Sequence, residues 1–167
     1  MAREEETKKS PEELADRAWE LAESIKIAMF NTWNGSELHS RPMDAKVERD
    51  KDAIYFLTDV DSYKIDELEK FPQATLAFAN ASSYKFVTMT GHAKVSNDRA
   101  LIKKYWDDSN KAWWDSENDP RIRLVTFHPD DAELWDSPNF VVASVKMLTA
   151  AVTGAKPKLG DHAKVAI

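Results

Sequence analysis

The stretch Ile27-Ala-Met-Phe-Asn-Thr-Trp33-Asn34-Gly35-Ser-Glu-Leu38-His39-Ser40-Arg41-Pro42-Met43 reads as two strands around a tight turn. Asn-Gly is a strong hairpin signal, because both residues accept the positive φ that the favoured two-residue turns demand. The first arm, Ile27 to Trp33, is rich in residues that suit a pleated, half-buried surface. The returning arm is expected to run from Leu38 to Val47. On it His39, Arg41 and Met43 share one face, and Ser40 and Pro42 the other. Pro42 cannot donate a ladder hydrogen bond, so this arm belongs at an edge or a bulge.

The neighbouring segments extend the pattern. Upstream, Ser10-Pro-Glu-Glu13 is a helix start with a capping box and a proline at the first helical position. Leu14, Ala18, Leu21, Ala22 and Ile25 then recur at helical spacing. Downstream, Arg49 to Asp52 makes a polar turn, and Ala53-Ile-Tyr-Phe-Leu-Thr58 is a third strand. Ser62 to Lys70 is a short helix ended by Pro72. Ala74 to Ala79 and Lys85 to Val95 are further strands, and Gly91 in the second marks a bulge or a close backbone approach. Asp98 caps a helix reaching about Trp106. Ile122 to Phe127 and Ala132 to Trp135 are expected as two separate strands. Phe140 to Val152 has helical spacing, and the last dozen residues read as a loose or partner-bound tail. Many antiparallel strands interrupted by short helices give an α+β, mainly β chain folded as a barrel. The expected organisation is a flexible stretch over residues 1–10, one domain over 11–153 and a tail over 154–167.

Composition narrows the function classes. The chain has 167 residues, a net charge of −6 and no cysteine. Thiolate catalysis, disulfides and cysteine metal sites are therefore excluded. An acidic balance gives no general attraction to nucleic acid or to anionic membranes. Any anion must be held by a local cluster. The N-terminus shows no apolar signal region, and no stretch is long and apolar enough to span a membrane, so the cytoplasm is the expected location. His39, His92, His128 and His162 lack metal-ligand spacing. No P-loop, GxGxxG or GxSxG motif occurs, and four glycines cannot build a glycine-rich phosphate cradle.

Three features carry chemistry. The first is Thr58-Asp-Val-Asp-Ser62-Tyr63-Lys64, a strand end running into a helix start. Free N–H groups in a first helical turn, a hydroxyl and an ammonium suit a phosphate monoester. The same residues also fit a plain N-cap at Asp61 or Ser62 beside a solvated lysine. The second is Arg41, whose fork of donors suits a phosphate or a polar ring edge, or equally a carboxylate partner. The third is the tryptophan set Trp106, Trp113, Trp114 and Trp135, suited to core packing, to a subunit seam or to covering a flat ligand.

Together the segments Ser40-Arg-Pro-Met43, Tyr55-Phe-Leu-Thr58, Ser62-Tyr-Lys64, Phe71-Pro72 and Val87-Thr-Met-Thr-Gly91 resemble the pyridoxamine 5′-phosphate oxidase-like split barrels that bind flavin. Trp113-Trp114 before Asp119-Pro120, and Glu133-Leu-Trp135-Asp136, are similar to motifs of its bacterial general-stress branch. The match spans about residues 12 to 153. The resemblance implies an antiparallel split β-barrel with flanking short helices. It implies a homodimer holding FMN in clefts between the subunits, with FAD, a deazaflavin or a haem-type ligand as alternatives for the same barrel. It assigns cofactor contacts to Ser40, Arg41, Pro42 and Met43, to Phe56, Leu57 and Thr58 partly through backbone groups, and to Ser62, Tyr63 and Lys64, with Trp113, Trp114 or Trp135 covering the ring from the same or the second subunit. The flavin would carry electrons between small-molecule donors and acceptors, so the protein reads as a stress-linked flavin-dependent oxidoreductase or flavin reductase, or as a non-catalytic flavin carrier. The sequence departs from the true oxidases in having Tyr63 where a basic residue is usual. It also lacks their late Arg-x-His substrate motif. Both departures point away from oxidation of pyridoxamine phosphate itself.

Overall fold

The computed structural model describes residues 9–137 and 161–167. Helix α1 (Pro11–Ile25) opens on the expected capping box: the Ser10 hydroxyl accepts from the Glu13 N–H, and the Glu13 carboxylate accepts from the Ser10 N–H. Its apolar stripe of Ala15, Ala18, Trp19, Leu21 and Ala22 is buried.

The strands are β1 (Ile27–Trp33), β2 (Leu38–Asp44), β3 (Lys46–Glu48), β4 (Ala53–Asp59), β5 (Gln73–Asn80), β6 (Lys85–Ser96), β7 (Ile122–Asp136) and β8 (Asp161–Ala166). Between them lie α2 (Tyr63–Lys70) and α3 (Arg99–Tyr105). All strand pairings are antiparallel, in the order β2-β1-β5-β6-β7-β4-β3, with β8 added to β7. The sheet curls into a split barrel with short helices against it. Inside it, the Phe30 ring meets Phe56 edge-on at 5.0 Å and Phe127 at 6.5 Å.

Strand β4 explains why its sequence is an unbroken apolar run. Ile54 and Phe56 point into the barrel core, while Ala53 and Tyr55 enter a second core under α3 with Ile102, Tyr105, Trp114, Ile122 and Leu124. A strand covered on both faces has no polar side to alternate with.

Three expectations change. The single arm Leu38–Val47 is broken at the buried Ala45 into β2 and β3, because the chain turns there from β1 to β4. The two strands expected over 122–127 and 132–135 are one strand, β7. Pro129 and Asp130 sit at a bulge, where the register with β6 shifts between Thr90 and Gly91, and a bulge tolerates a residue that cannot donate. The tail is not loose at its end, since β8 pairs with β7 from Asp131 to Asp136 and buries Val165. The helical spacing of 140–152 and most of the first ten residues lie outside the described residues.

Candidate functional site

The two ends of the strand order, β2 and β3-β4, come together at the split in the barrel. Among the described residues β3 pairs only with Ala53–Tyr55, so the following part of β4 has no strand beside it at the split. A cleft of about 410 Å³ opens there, within the usual range of small-molecule sites. It is lined by Arg41, Pro42, Met43 and Asp44 of β2, Lys46 of β3, and Leu57, Thr58 and Asp59 of β4. Ser62 and Lys64 at the start of α2, with Asn110, Trp113 and Trp114 from the α3–β7 connection, complete it.

At its polar end the Lys64 ammonium donates to the hydroxyls of Thr58 (2.7 Å) and Ser62 (2.5 Å). Ser62 occupies the N-cap position of α2, yet its hydroxyl makes no capping bond. The plain-cap alternative fails for this side chain, and in the first turn of α2 the Ile65 N–H donates to the Ser62 carbonyl (3.0 Å). Lys64 makes no ion pair among the described residues. Burial, followed by the nearby charge of Arg41, brings its pKa down to about 8.

The other two cations are already matched. Arg41 donates through Nη1 to the Thr32 hydroxyl (2.6 Å) and the Phe30 carbonyl (3.4 Å), and through Nη2 to Glu67 (3.3 Å). Its Nε is buried without a partner. Lys46 bridges Asp44 (2.7 Å) and Asp107. Lys64 is thus the cation of the cleft with charge to offer an anion.

The aromatic wall is fixed by charge. The Trp114 indole N–H donates to Asp59 (3.1 Å), and Arg121 clamps the same carboxylate (2.9 and 3.1 Å). Arg121, then the Asp61 N–H, hold the Asp59 pKa at about 2. Trp114 is buried against the second core, whereas Trp113 beside it is 79% exposed.

Most of the sequence-derived site residues meet here: Arg41, Pro42, Met43, Leu57, Thr58, Ser62, Lys64, Trp113 and Trp114. Four do not. Ser40 lies on the outer face of β2, opposite Asn31, one residue out of phase with Arg41. The Phe56 side chain is wholly buried in the barrel core. The Tyr63 ring is exposed outside the cleft, 5.0 Å from the Arg41 guanidinium carbon and edge-on to His39. Trp135 stacks on His162 at 4.8 Å, where β7 meets β8. Sequence reasoning missed Asp44, Lys46, Asp59 and Asn110 on the cleft wall, and Glu67 and Thr32 behind Arg41. Charged residues three to five positions after Arg41 on an edge strand were the available signal for Asp44 and Lys46.

A phosphate monoester held at Lys64 would be bound in a proton-linked way. A phosphate monoester is mostly dianionic above pH ~6, so it needs Lys64 protonated and raises its pKa on binding. Affinity should be nearly flat between about pH 6 and pH 7 and fall about tenfold between pH 7 and 9, as the free protein loses the proton that the complex retains. Titrations with FMN and with riboflavin across this range check it. Only the phosphate-bearing compound should show the fall.

The chain aligns with several known proteins. Over 139 residues it is 22% identical to general stress protein 26 of Bacillus subtilis (strain 168), covering 81% of this chain and 98% of that one. A structure assigned as general stress protein 26 from Jannaschia sp. CCS1 superposes with a TM-score of 0.77 at 21% identity, covering 95% of this chain and 100% of that one. The general stress FMN/FAD binding protein of Xanthomonas citri superposes with a TM-score of 0.66 at 26% identity, over 74% and 89% of the two chains. No helix among the described residues is long and apolar enough to cross a membrane. The pyridoxamine 5′-phosphate oxidase-like family model matches residues 13–158, and with the split barrel described above the chain belongs to that family.

Proposed function

We propose that the cleft binds FMN, with the phosphate at Lys64 and Ser62 and the flavin ring between the uncovered edge of β4 and the Trp113-Trp114 wall. The observation that carries this reading is the Lys64 ammonium, half-buried, held by two hydroxyls and without a carboxylate partner among the described residues. Relatives named as general stress proteins, one of them FMN/FAD binding, support both the flavin and a stress-linked role.

Bound flavin supplies hydride and electron exchange. The chain's own residues bind and orient it: Lys64 and Ser62 take the phosphate, Trp114 walls the ring site, and Asp59 fixes that tryptophan. The reading is a cytoplasmic flavin-dependent oxidoreductase or flavin reductase acting on a small molecule, with a non-catalytic flavin carrier as its alternative. Mass spectrometry of the ligand that co-purifies should find FMN; a haem-type or deazaflavin ligand would overturn the assignment. Mixing the loaded protein with NADH or NADPH separates the two roles, since bleaching of the flavin absorbance marks the reductase and its persistence with a range of donors marks the carrier.

A homodimer belongs to the same proposal. Ile27, Met29, Trp33 and Leu38 stand exposed on one face of the β1-β2 hairpin. Clustered exposed side chains of this kind mark an interaction surface. Pro42, opposite Met29, joins that face to the cleft. Sedimentation at micromolar concentration should give twice the 19.0 kDa chain mass. A mass of one chain would contradict it.

A further inference from the structure

We propose that Glu67 determines the strength and selectivity of the anion site by holding back the charge of Arg41. This rests on the reading of the cleft as a phosphate site.

Glu67 lies on α2 one turn beyond Lys64, and its side chain is only 7% exposed. One carboxylate oxygen accepts from the Thr32 hydroxyl (2.5 Å) and from Arg41 Nη2 (3.3 Å). The other meets His39 Nδ1 at 2.5 Å. Burial opposes its ionisation, but the hydrogen bonds from Thr32 and His39 and the charges of His39 and Arg41 outweigh burial and hold its pKa below the ordinary value. Glu67 is therefore a carboxylate at neutral pH. A carboxylate only accepts, so the His39 proton sits on Nδ1.

Two consequences follow for the cleft. The Arg41 guanidinium turns its terminal nitrogens to Glu67 and Thr32, and its charge is offset in part at close range. Glu67 also acts on Lys64, favouring its protonated form, whereas Arg41 disfavours it. Among the described residues an incoming phosphate thus meets one cation without an ion pair, Lys64, and one that is already paired, Arg41. A site so balanced binds a phosphate-bearing ligand reversibly and does not trap any small anion. Glu67→Gln tests this, because the amide keeps the shape: its oxygen accepts from Arg41 and Thr32, and its NH2 donates to His39 in the other tautomer. Only the charge is lost.

The probe is inorganic phosphate, titrated into the whole protein against chloride of matched ionic strength, with FMN and riboflavin measured alongside. The Glu67→Gln protein should melt lower without ligand, because Arg41 becomes a buried charge without a counter-charge. It should bind phosphate and FMN about tenfold more tightly, as expected for removing one like charge near an anion in a partly buried site. Riboflavin affinity should not change. Unchanged or weaker phosphate binding, or an equal gain for riboflavin, overturns the inference. Glu67→Asp keeps the charge but withdraws it by one methylene. It should give a smaller gain in the same direction, and it decides the matter if the Gln variant does not fold: no gain overturns the inference. Failure of the flavin reading looks different. Wild-type protein would then bind FMN no tighter than riboflavin, while the phosphate titrations still decide the role of Glu67.

Discussion

Lys64→Ala is expected to weaken FMN binding by about ten- to a hundredfold, the range for losing a charge-assisted hydrogen bond to a phosphate. Riboflavin, which lacks the phosphate, should bind both proteins equally. The effect is large because the cleft has no substitute cation: Arg41 is engaged with Glu67, and Lys46 with Asp44 and Asp107. Ser62→Ala should add a smaller loss, since Ser62 both steadies the ammonium and offers a hydroxyl to the ligand. Quenching of flavin fluorescence reads both affinities. An unchanged FMN affinity in Lys64→Ala sinks the phosphate assignment.

Gly91→Ala should destabilise the fold by about 3 kcal/mol or more, at the upper end for forcing extra atoms into a packed interior. A Cβ on Gly91 would stand 2.1 Å from the His128 carbonyl oxygen and 2.7 Å from the Pro129 Cα. Both are backbone atoms at the bulge where β6 and β7 change register, so no side chain can turn aside to make room. Relief requires moving β7, which also carries the pairings to β4 and β8. Urea unfolding measures the loss, and a change below about 1 kcal/mol would contradict the close approach.

The parts of this fold that show in the sequence are those whose signal is local. The Ser10–Glu13 capping box, the Asn34-Gly35 turn and the doubly buried run of β4 each depend on neighbours a few residues away. Strand β7 hides because Pro129-Asp-Asp131 looks like a turn; only pairing with β6 turns it into a bulge. Strand β8 hides for a related reason, since it is a short segment made stable by the β7 edge that it joins.

The site divides in the same way. Ser62 and Lys64 are two positions apart on one turn, so their convergence with Thr58 can be read from the chain. Trp135 lies where β7 meets β8, outside the cleft of its own chain, so a ring contact from it would belong to a second subunit. Phe56 and Ser40 were placed correctly along their strands, but their side chains point to the other face. Glu67, His39 and Thr32 come from α2, β2 and β1 and meet only after folding. The neutralisation of Arg41, which decides how much charge the cleft offers, therefore has no sequence signal. The anion site expected at the start of α2 comes down to one lysine.

The most direct test of that claim is an equilibrium titration of the wild-type protein with FMN and with riboflavin at pH 7. FMN binding at least about tenfold tighter than riboflavin is the expected result, since the phosphate meets Lys64. Equal affinities, or no binding of either, would contradict a phosphate-held flavin in this cleft.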